Sequence, residues 1–449
     1  MALPVSQLKV RVSYGRLGNQ NGAGLYDYIA QMPLDAQGTN AWLLPGISSS
    51  TASKGTIAQT PKMISPYITW EKVDNANLGF DLMLFKNRLS ITADLYQRTT
   101  RDMIGPAESI PSISGIASED RAKVNNATLR NRGWELSVSW NDKLKCGFSY
   151  GVGFNVFNYK AVVTKYNNPE GIIYNNHTGL AANKGYYEGM DLGEIWGYRA
   201  DDLFLSNREI DDYLRKVDLT AFKSNDLWRR GDLKYIDTNG DGRVDGGKGT
   251  LSDHGDLQVI GNTTPKYSFG INLNLGYKGF EVSTLLQGVA KRDFPIAGSN
   301  YMFGGNNYNF KEHLDYFSTE NPNGYLPRLT GWKDDKDFLV NTGYNTTRYL
   351  LNAAYMRMKN LTVAYTFNKK QLKHIGISNL KVYVTCDNLF TITKLPKQFD
   401  PETLNQVNMS AGGDAKNTAP GLTSPMKQNG NGMVYPMNRN FVFGLDFTF

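Results

Sequence analysis

Apolar and polar residues alternate one by one in short runs from one end of this chain to the other. A side-chain period of two belongs to β-strands with unlike faces. The first run sets Leu8, Val10, Val12 and Tyr14 against Lys9, Arg11 and Ser13, with Gly15 closing it. LGFDLMLF at 78–85 is followed by Lys86-Asn87-Arg88 and then LSITADLYQR, the pattern of a hairpin with a short polar turn. Its second arm opposes Leu89, Ile91, Ala93 and Leu95 to Ser90, Thr92, Asp94, Tyr96 and Arg98. Trp134, Leu136, Val138 and Trp140 alternate with Glu135, Ser137 and Ser139, and a turn is predicted at Asn141-Asp142-Lys143. Phe148, Tyr150, Val152, Phe154 and Val156 then oppose Ser149, Gly151, Gly153 and Asn155, small and polar as a lumen face would be. A third hairpin pairs Phe269, Ile271, Leu273, Leu275 and Tyr277 with Phe280, Val282 and Leu286 across Lys278-Gly279. Further strands are predicted at Tyr355 to Phe367 and Leu380 to Asp387. Phe441, Phe443, Leu445, Phe447 and Phe449 close the chain against Val442, Gly444, Asp446 and Thr448.

These runs predict an all-β protein. No stretch approaches the roughly 18 consecutive apolar residues of a membrane helix, but a barrel strand of about 10 residues is only half apolar and escapes that test. The mean hydropathy of -0.44 is therefore compatible with a membrane. Aromatics at 12%, 45 Gly and only 20% charged residues suit a turn-rich β fold. Long segments, Asn158 to Gly193, Leu203 to Thr264 and Ala290 to Asn352, separate runs joined elsewhere by short turns. That asymmetry is characteristic of outer-membrane barrels. About 11 strands can be counted by their period, against about 22 in large plugged barrels. The expectation is a partial antiparallel transmembrane β-barrel, the C-terminal half of a large plugged barrel, with long extracellular loops. Residues 1–449 form this one part, with no plug domain. MALPVSQLKVRVSYG lacks the charged start and apolar core of a signal peptide, so truncation of a longer precursor is expected.

The formal charge of +7 comes from Lys and Arg scattered among acids, with no basic helix or stripe, and nucleic acid is not an expected partner. Cys146 and Cys386 lack metal-type spacing and read as unpaired thiols. His177, His254, His313 and His374 share no spacing suited to a metal or a triad, and no nucleophile elbow or phosphate loop occurs. The acidic pairs Asp201-Asp202 and Asp211-Asp212 sit in polar segments, where solvation explains them. No enzyme is expected.

The clearest chemical signal runs from Asp237 to Asp245. Asp237, Asn239, Asp241 and Asp245 stand at the first, third, fifth and ninth positions of a calcium loop. Gly242 takes the sixth and the Arg243 carbonyl the seventh. The twelfth is Lys248 where such a loop places a bidentate Glu, so Asp253, Asp256 or water would have to complete the shell. The alternative is an Asx-rich turn without metal. Tyr186, Tyr187, Trp196, Trp228, Tyr301, Tyr308 and Trp332 are candidates for stacking on sugars, with loop packing or an interfacial girdle as the competing role.

An ordered succession of phrases resembles the SusC/RagA family of TonB-dependent outer-membrane receptors along nearly the whole chain. It begins with LKVRVSYGRLGNQ at 8–20, ITWEKVD at 68–74, NRGW at 131–134 and EGMDLGEIWGY at 188–198. RGDLKYIDTNGDGRVD at 230–245, VIGNTTPKY at 259–267 and YKGFEVSTLLQG at 277–288 follow. The last are AYMRMKNLTVAY at 354–365, YVTCDNLF at 383–390, DPE at 400–402 and the terminal GLDFTF. The aromatic final strand is similar to the signal by which bacterial outer-membrane barrels are recognised for assembly. The resemblance implies a transporter component importing oligosaccharides or peptides with a SusD-like surface lipoprotein. It also implies energy from the TonB complex through a TonB box and plug, neither of which is expected in these residues. The competing reading is a soluble or surface calcium-dependent carbohydrate-binding or adhesive β-protein, which would bury the alternating apolar residues in one core.

Overall fold

The computed structural model describes residues 5–20, 63–105, 121–173, 186–200, 202–297, 311–330, 336–367, 377–404 and 437–448. A few short pieces at 28–58 and positions 113, 302 and 372 are described as well. One antiparallel sheet of 11 strands dominates. In chain order its first five strands are β1 (Val5–Asn19), β2 (Glu71–Leu84), β3 (Leu89–Gly105), β4 (Val124–Lys143) and β5 (Ser149–Lys165). The rest are β6 (Lys266–Tyr277), β7 (Phe280–Lys291), β8 (Tyr355–Phe367), β9 (Asn379–Asp387), the short β10 (Thr391–Thr393) and β11 (Asn440–Thr448). The long strands pair in chain order, β10 adds to β8, and β1 and β11 are open edges.

Register turns the sequence alternation into two unlike faces. Leu8 lies opposite Leu82, and the rung continues through Ile91, Val138, Phe154 and Ile271 to Leu286. One residue along, Lys9, Asp81, Thr92, Ser137, Asn155, Gly270 and Gln287 form a polar rung. Because the period is two, the apolar rungs share one face and the polar rungs the other. Among the described residues no second layer covers the apolar face: Phe154 is 40% exposed, Val363 43% and Leu445 67%. A sandwich would bury these side chains, whereas a barrel wall presents them to lipid. On the polar face, Tyr96 lies against its cross-strand neighbour Gly133, and Tyr383 against Gly444. An added Cβ at either glycine would meet the tyrosine ring.

Connections alternate strictly in length. Short links at 85–88, 144–148, 278–279 and 368–378 fall between the strand pairs β2–β3, β4–β5, β6–β7 and β8–β9. Long excursions at 20–70, 106–123, 166–265, 292–354 and 388–439 take the other places. Since the strands are antiparallel, every short link is at one end of the sheet and every long excursion at the other. Lys278 and Gly279, at φ 47° and 92°, make a two-residue turn of the type that right-twisted hairpins favour. The turn predicted at Asn141-Asp142-Lys143 lies further on: Asn141 and Asp142 stay in register with Gly151 and Tyr150. Reversal occurs at Leu144–Gly147, where Gly147 at φ 88° supplies the left-handed residue and the Leu144 amide donates to Phe148 O at 2.8 Å.

Among the described residues most of the buried core is in the excursions and little of it in the sheet. Tyr198, Phe222, Tyr235, Phe294 and Tyr349 anchor one cluster, within which Phe222 and Tyr235 stack at 4.3 Å. Short paired strands brace it: Glu194–Gly197 with Gln258–Asn262, Asp202–Leu203 with Leu233–Lys234, and Asp293–Pro295 with Leu350–Asn352. Helix α1 (Asn207–Leu214) starts at a reciprocal cap. Ser206 Oγ accepts from the Glu209 amide at 3.1 Å, and Glu209 accepts from the Leu205 amide at 2.9 Å. The cluster packs on polar-face positions at the long-loop end, where Val163, Ala161, Val289 and Tyr355 are buried. The described parts of the excursions at 166–265 and 292–354 thus fold inward over the mouth of the wall. Among the described residues no helix is long and apolar enough to cross a membrane, which says nothing of strands.

Candidate functional site

The polar face below this inward-folded module is lined by Ser137, Ser139, Asn155, Asn272, Asn274, Ser283 and Thr362, which alternation places opposite the apolar band. Near the short-turn end, Asn141, Gly151, Asn274, Ser283, Thr362, Glu281 and Lys381 line a shallow concavity of 560 Å³. Glu281 and Lys381 pair there at 2.6 Å. From β5 to β8 this surface offers mainly neutral donors and acceptors, a chemistry suited to hydrated polar cargo, whereas on β1 to β4 the same face carries Lys9, Arg11, Asp81, Asp94 and Glu135.

Aromatic side chains border the apolar band. At the short-turn end Phe85 meets Trp140 at 5.8 Å, Phe148 meets Tyr150 at 6.1 Å, and Phe280 meets Tyr365 at 4.6 Å. Towards the long-loop end Trp134 meets Tyr267 at 6.5 Å. Along β6 the path from Tyr277 to Tyr267 is roughly 33 Å at about 3.3 Å per residue. At a tilt near 40° this spans about 25 Å, the height of an outer-membrane apolar band. The girdle therefore comes from strand residues. Of the loop aromatics named from sequence, Tyr187, Trp196 and Trp228 are buried and Tyr186 is exposed. Tyr301, Tyr308 and Trp332 lie outside the described residues.

Within the module a buried ion cluster joins two excursions. Lys223 Nζ lies 2.7 Å from Asp232, and both side chains are 0% exposed. Asp232 also accepts from Arg328 Nε at 2.6 Å, the Arg229 amide at 2.8 Å and Asn341 Nδ2 at 2.9 Å. Asp337 contacts both Lys223 and Arg328. Burial alone would push the Asp337 carboxyl up; the hydrogen bonds from Lys223 and Arg328 outweigh it and hold it below the usual carboxylate range. A second ion cluster ties the Asp400–Glu402 segment to β8 through Arg357, 2.9 Å from Asp400 and 3.2 Å from Glu402. Neither cluster is visible in the sequence, because the partners lie far apart along the chain.

The Asp237–Asp245 loop is folded around its own amides. Asp237 accepts from Gly240 and Gly242 at 2.6 and 2.8 Å, Asn239 from Asp241 at 2.9 Å, and Asp241 from Arg243 at 2.8 Å. Asp245 accepts from the Gly247 amide at 2.7 Å and meets Arg243 Nε at 3.0 Å. Buried Asp256 braces the loop from outside, accepting from the Thr238 and Asp245 amides at 2.7 and 3.0 Å. Gly242 is left-handed at φ 84°, and Val244, in the eighth position, is fully buried. Lys248, in the twelfth, points to Asp253 at 3.8 Å. Among the described residues no group of three or more His, Cys, Asp or Glu side chains is arranged to hold a metal ion. The donor set is thus incomplete at the twelfth position.

The remaining chemistry-bearing residues are scattered. His254 packs on Trp196 at 5.6 Å and His313 is buried, while His177 and His374 lie outside the described residues. Cys146 is exposed and Cys386 half-buried, both free. Asp211 and Asp212 are on α1, and Asp201 lies outside the described residues.

Comparison with known proteins agrees with this geometry. Residues 3–389 match the family described as TonB dependent receptor-like, beta-barrel. TonB-dependent receptor P3 of Formosa agariphila is 26% identical over 385 residues, covering 85% of this chain and 34% of that protein. TonB-dependent receptor SusC of Bacteroides thetaiotaomicron is 22% identical over 411 residues, covering 90% of this chain and 36% of that protein. The chain thus spans about a third of the length of these relatives. The structure of the RagAB peptide transporter superposes with a TM-score of 0.63 at 22% identity, covering 99% of this chain and 41% of that one. The partial, open sheet accords with that share. Members of the family are transporters and not enzymes. This chain belongs to the TonB-dependent receptor-like β-barrel family, is similar to its SusC and RagA members, and its place is the outer membrane.

Proposed function

We propose that this chain is the C-terminal wall and extracellular loop region of a TonB-dependent transporter that imports oligosaccharide together with a SusD-like lipoprotein. The observation that carries the reading is the pairing of an uncovered apolar face with a polar face capped by a packed loop module at one end only. The Asn, Ser and Thr patch of β5 to β8 suits a polyhydroxyl cargo. Peptide is the second cargo reading, favoured by the likeness to a transporter whose structure is described as a peptide transporter. The open edges at β1 and β11 require further strands of a longer protein to close the wall, because unpaired strand edges are costly in lipid. Drive from the TonB complex would act through a plug beyond these residues. For the Asp237–Asp245 loop the proposal is a weak calcium site, supported by left-handed Gly242 and buried Val244, with a metal-free turn held by the loop's own amide bonds as the alternative.

The test is co-purification of the full-length protein with its neighbouring lipoprotein from outer membranes, followed by calorimetric titration of matched oligosaccharides and peptides. A detergent-dependent complex that binds oligosaccharide supports the reading. Peptide binding alone reassigns the cargo, and a soluble, partnerless monomer refutes the transporter.

A further inference from the structure

The outward face changes character where the apolar band ends. Val12, Leu78, Leu95 and Trp134 are its last continuous rung on β1 to β4. Beyond it, toward the long-loop end, the same face carries Arg16 on β1, Lys72 and Asp74 on β2, Arg101 on β3, Arg130 and Arg132 on β4, and Lys160 on β5. Side-chain bonds agree with that shared face: Arg16 and Arg101 reach Asp74 at 2.6 and 3.2 Å, and Arg132 Nε donates to Gln97 at 2.6 Å. Lys72 pairs with Asp102 at 2.8 Å. Arg130, Arg132 and Lys160 take part in no ion pair among the described residues, although the Lys160 charge also reaches Glu194. The Arg16 and Arg101 side chains remain 55% and 58% exposed.

We propose that this belt binds the phosphorylated headgroup of an outer-leaflet lipid. It is continuous with the lipid-facing band and lies just past the Trp134–Tyr267 girdle, the depth at which headgroups begin. The long-loop end is the extracellular end of an outer-membrane barrel, so the leaflet concerned is the outer one. The cations outnumber the carboxylates Asp74 and Asp102, leaving a net positive surface toward that leaflet. Guanidinium groups offer paired donors that match phosphate oxygens. Arg98, of the opposite parity on β3, faces the lumen and lies outside the belt.

The test uses the full-length protein in neutral detergent, titrated with a diphosphorylated lipid A-type glycolipid and with its dephosphorylated counterpart, binding being followed by native mass spectrometry. The phosphorylated lipid should bind more tightly. Arg130→Gln with Arg132→Gln should weaken it about 30-fold, from roughly fivefold per basic residue at an anionic surface. Arg98→Gln should leave it unchanged. Should the double variant fail to fold, as read by its heat-modifiable gel mobility, Lys160→Gln alone should weaken binding about fivefold. Equal binding of the two lipids, unaltered binding by the belt variants, or equal displacement by inorganic phosphate would overturn the proposal.

Discussion

Asp232→Ala should unlock the loop module while leaving the wall intact. Asp232 is fully buried and accepts from Lys223, Arg328, the Arg229 amide and Asn341, so its removal leaves Lys223 and Arg328 sharing the single carboxylate of Asp337, with one buried positive charge uncompensated. Breaking a buried pair from one side costs about 3–5 kcal/mol. At about 1.4 kcal/mol per tenfold, the open form of the module should rise roughly 150- to 5,000-fold. Its members come from both excursions, Lys223 and Asp232 from one and Arg328, Asp337 and Asn341 from the other, so both should open together. Hydrogen exchange on the full-length protein in detergent reads this directly. Amides of 203–264 and 336–352 should lose protection while those of β4 to β6 keep theirs. Loss confined to 203–264, or no loss at all, would refute the view that the cluster couples the two excursions.

Burial pushes the Glu194 carboxyl up, opposed in part by Trp196, the Asp191 amide and Lys160. A raised folded value means that its stability contribution is full below the ordinary 4.5 and is lost as pH rises through the folded value. Exchange protection of 186–200 should therefore fall with rising pH in the native protein and less so in Glu194→Gln. If the Asp237–Asp245 loop takes calcium weakly, tenfold excess over its dissociation constant should stabilise the module by about 1.4 kcal/mol, a melting shift of roughly 3–6 °C; no shift against chelator assigns the loop to its amide bonds alone. Gly133→Val should cost about 1–3 kcal/mol in a urea refolding assay by displacing Tyr96 from its cross-strand seat, whereas a neutral result would show that the ring swings away freely.

The wall was legible in the sequence because a half-exposed strand writes its two faces into alternate residues. Leu89 to Leu95 and Phe148 to Val156 show it cleanly, and their register followed. The limits of strands were less legible: β4 continues through Asn141 and Asp142, typical turn formers, because cross-strand pairing and the Arg88–Asp142 ion pair at 3.1 Å hold them in the sheet. The module was illegible for another reason. Its segments are buried on several sides by distant parts of the chain, so Tyr198, Phe222 and Tyr235 carry no period, and its strands are too short to show one. Trp196 and Trp228 were candidates for sugar stacking, yet burial commits them to packing, a distinction that composition cannot make.

The most direct measurement of lipid exposure is a cysteine scan of residues 152–156 on β5, in full-length protein with Cys146 and Cys386 replaced, reconstituted into liposomes. Spin labels at Val152, Phe154 and Val156 should collide with oxygen, and those at Gly153 and Asn155 with a water-soluble nickel complex, alternating residue by residue. Uniform access of the nickel complex to all five positions, or the opposite alternation, would contradict an outward-facing apolar band.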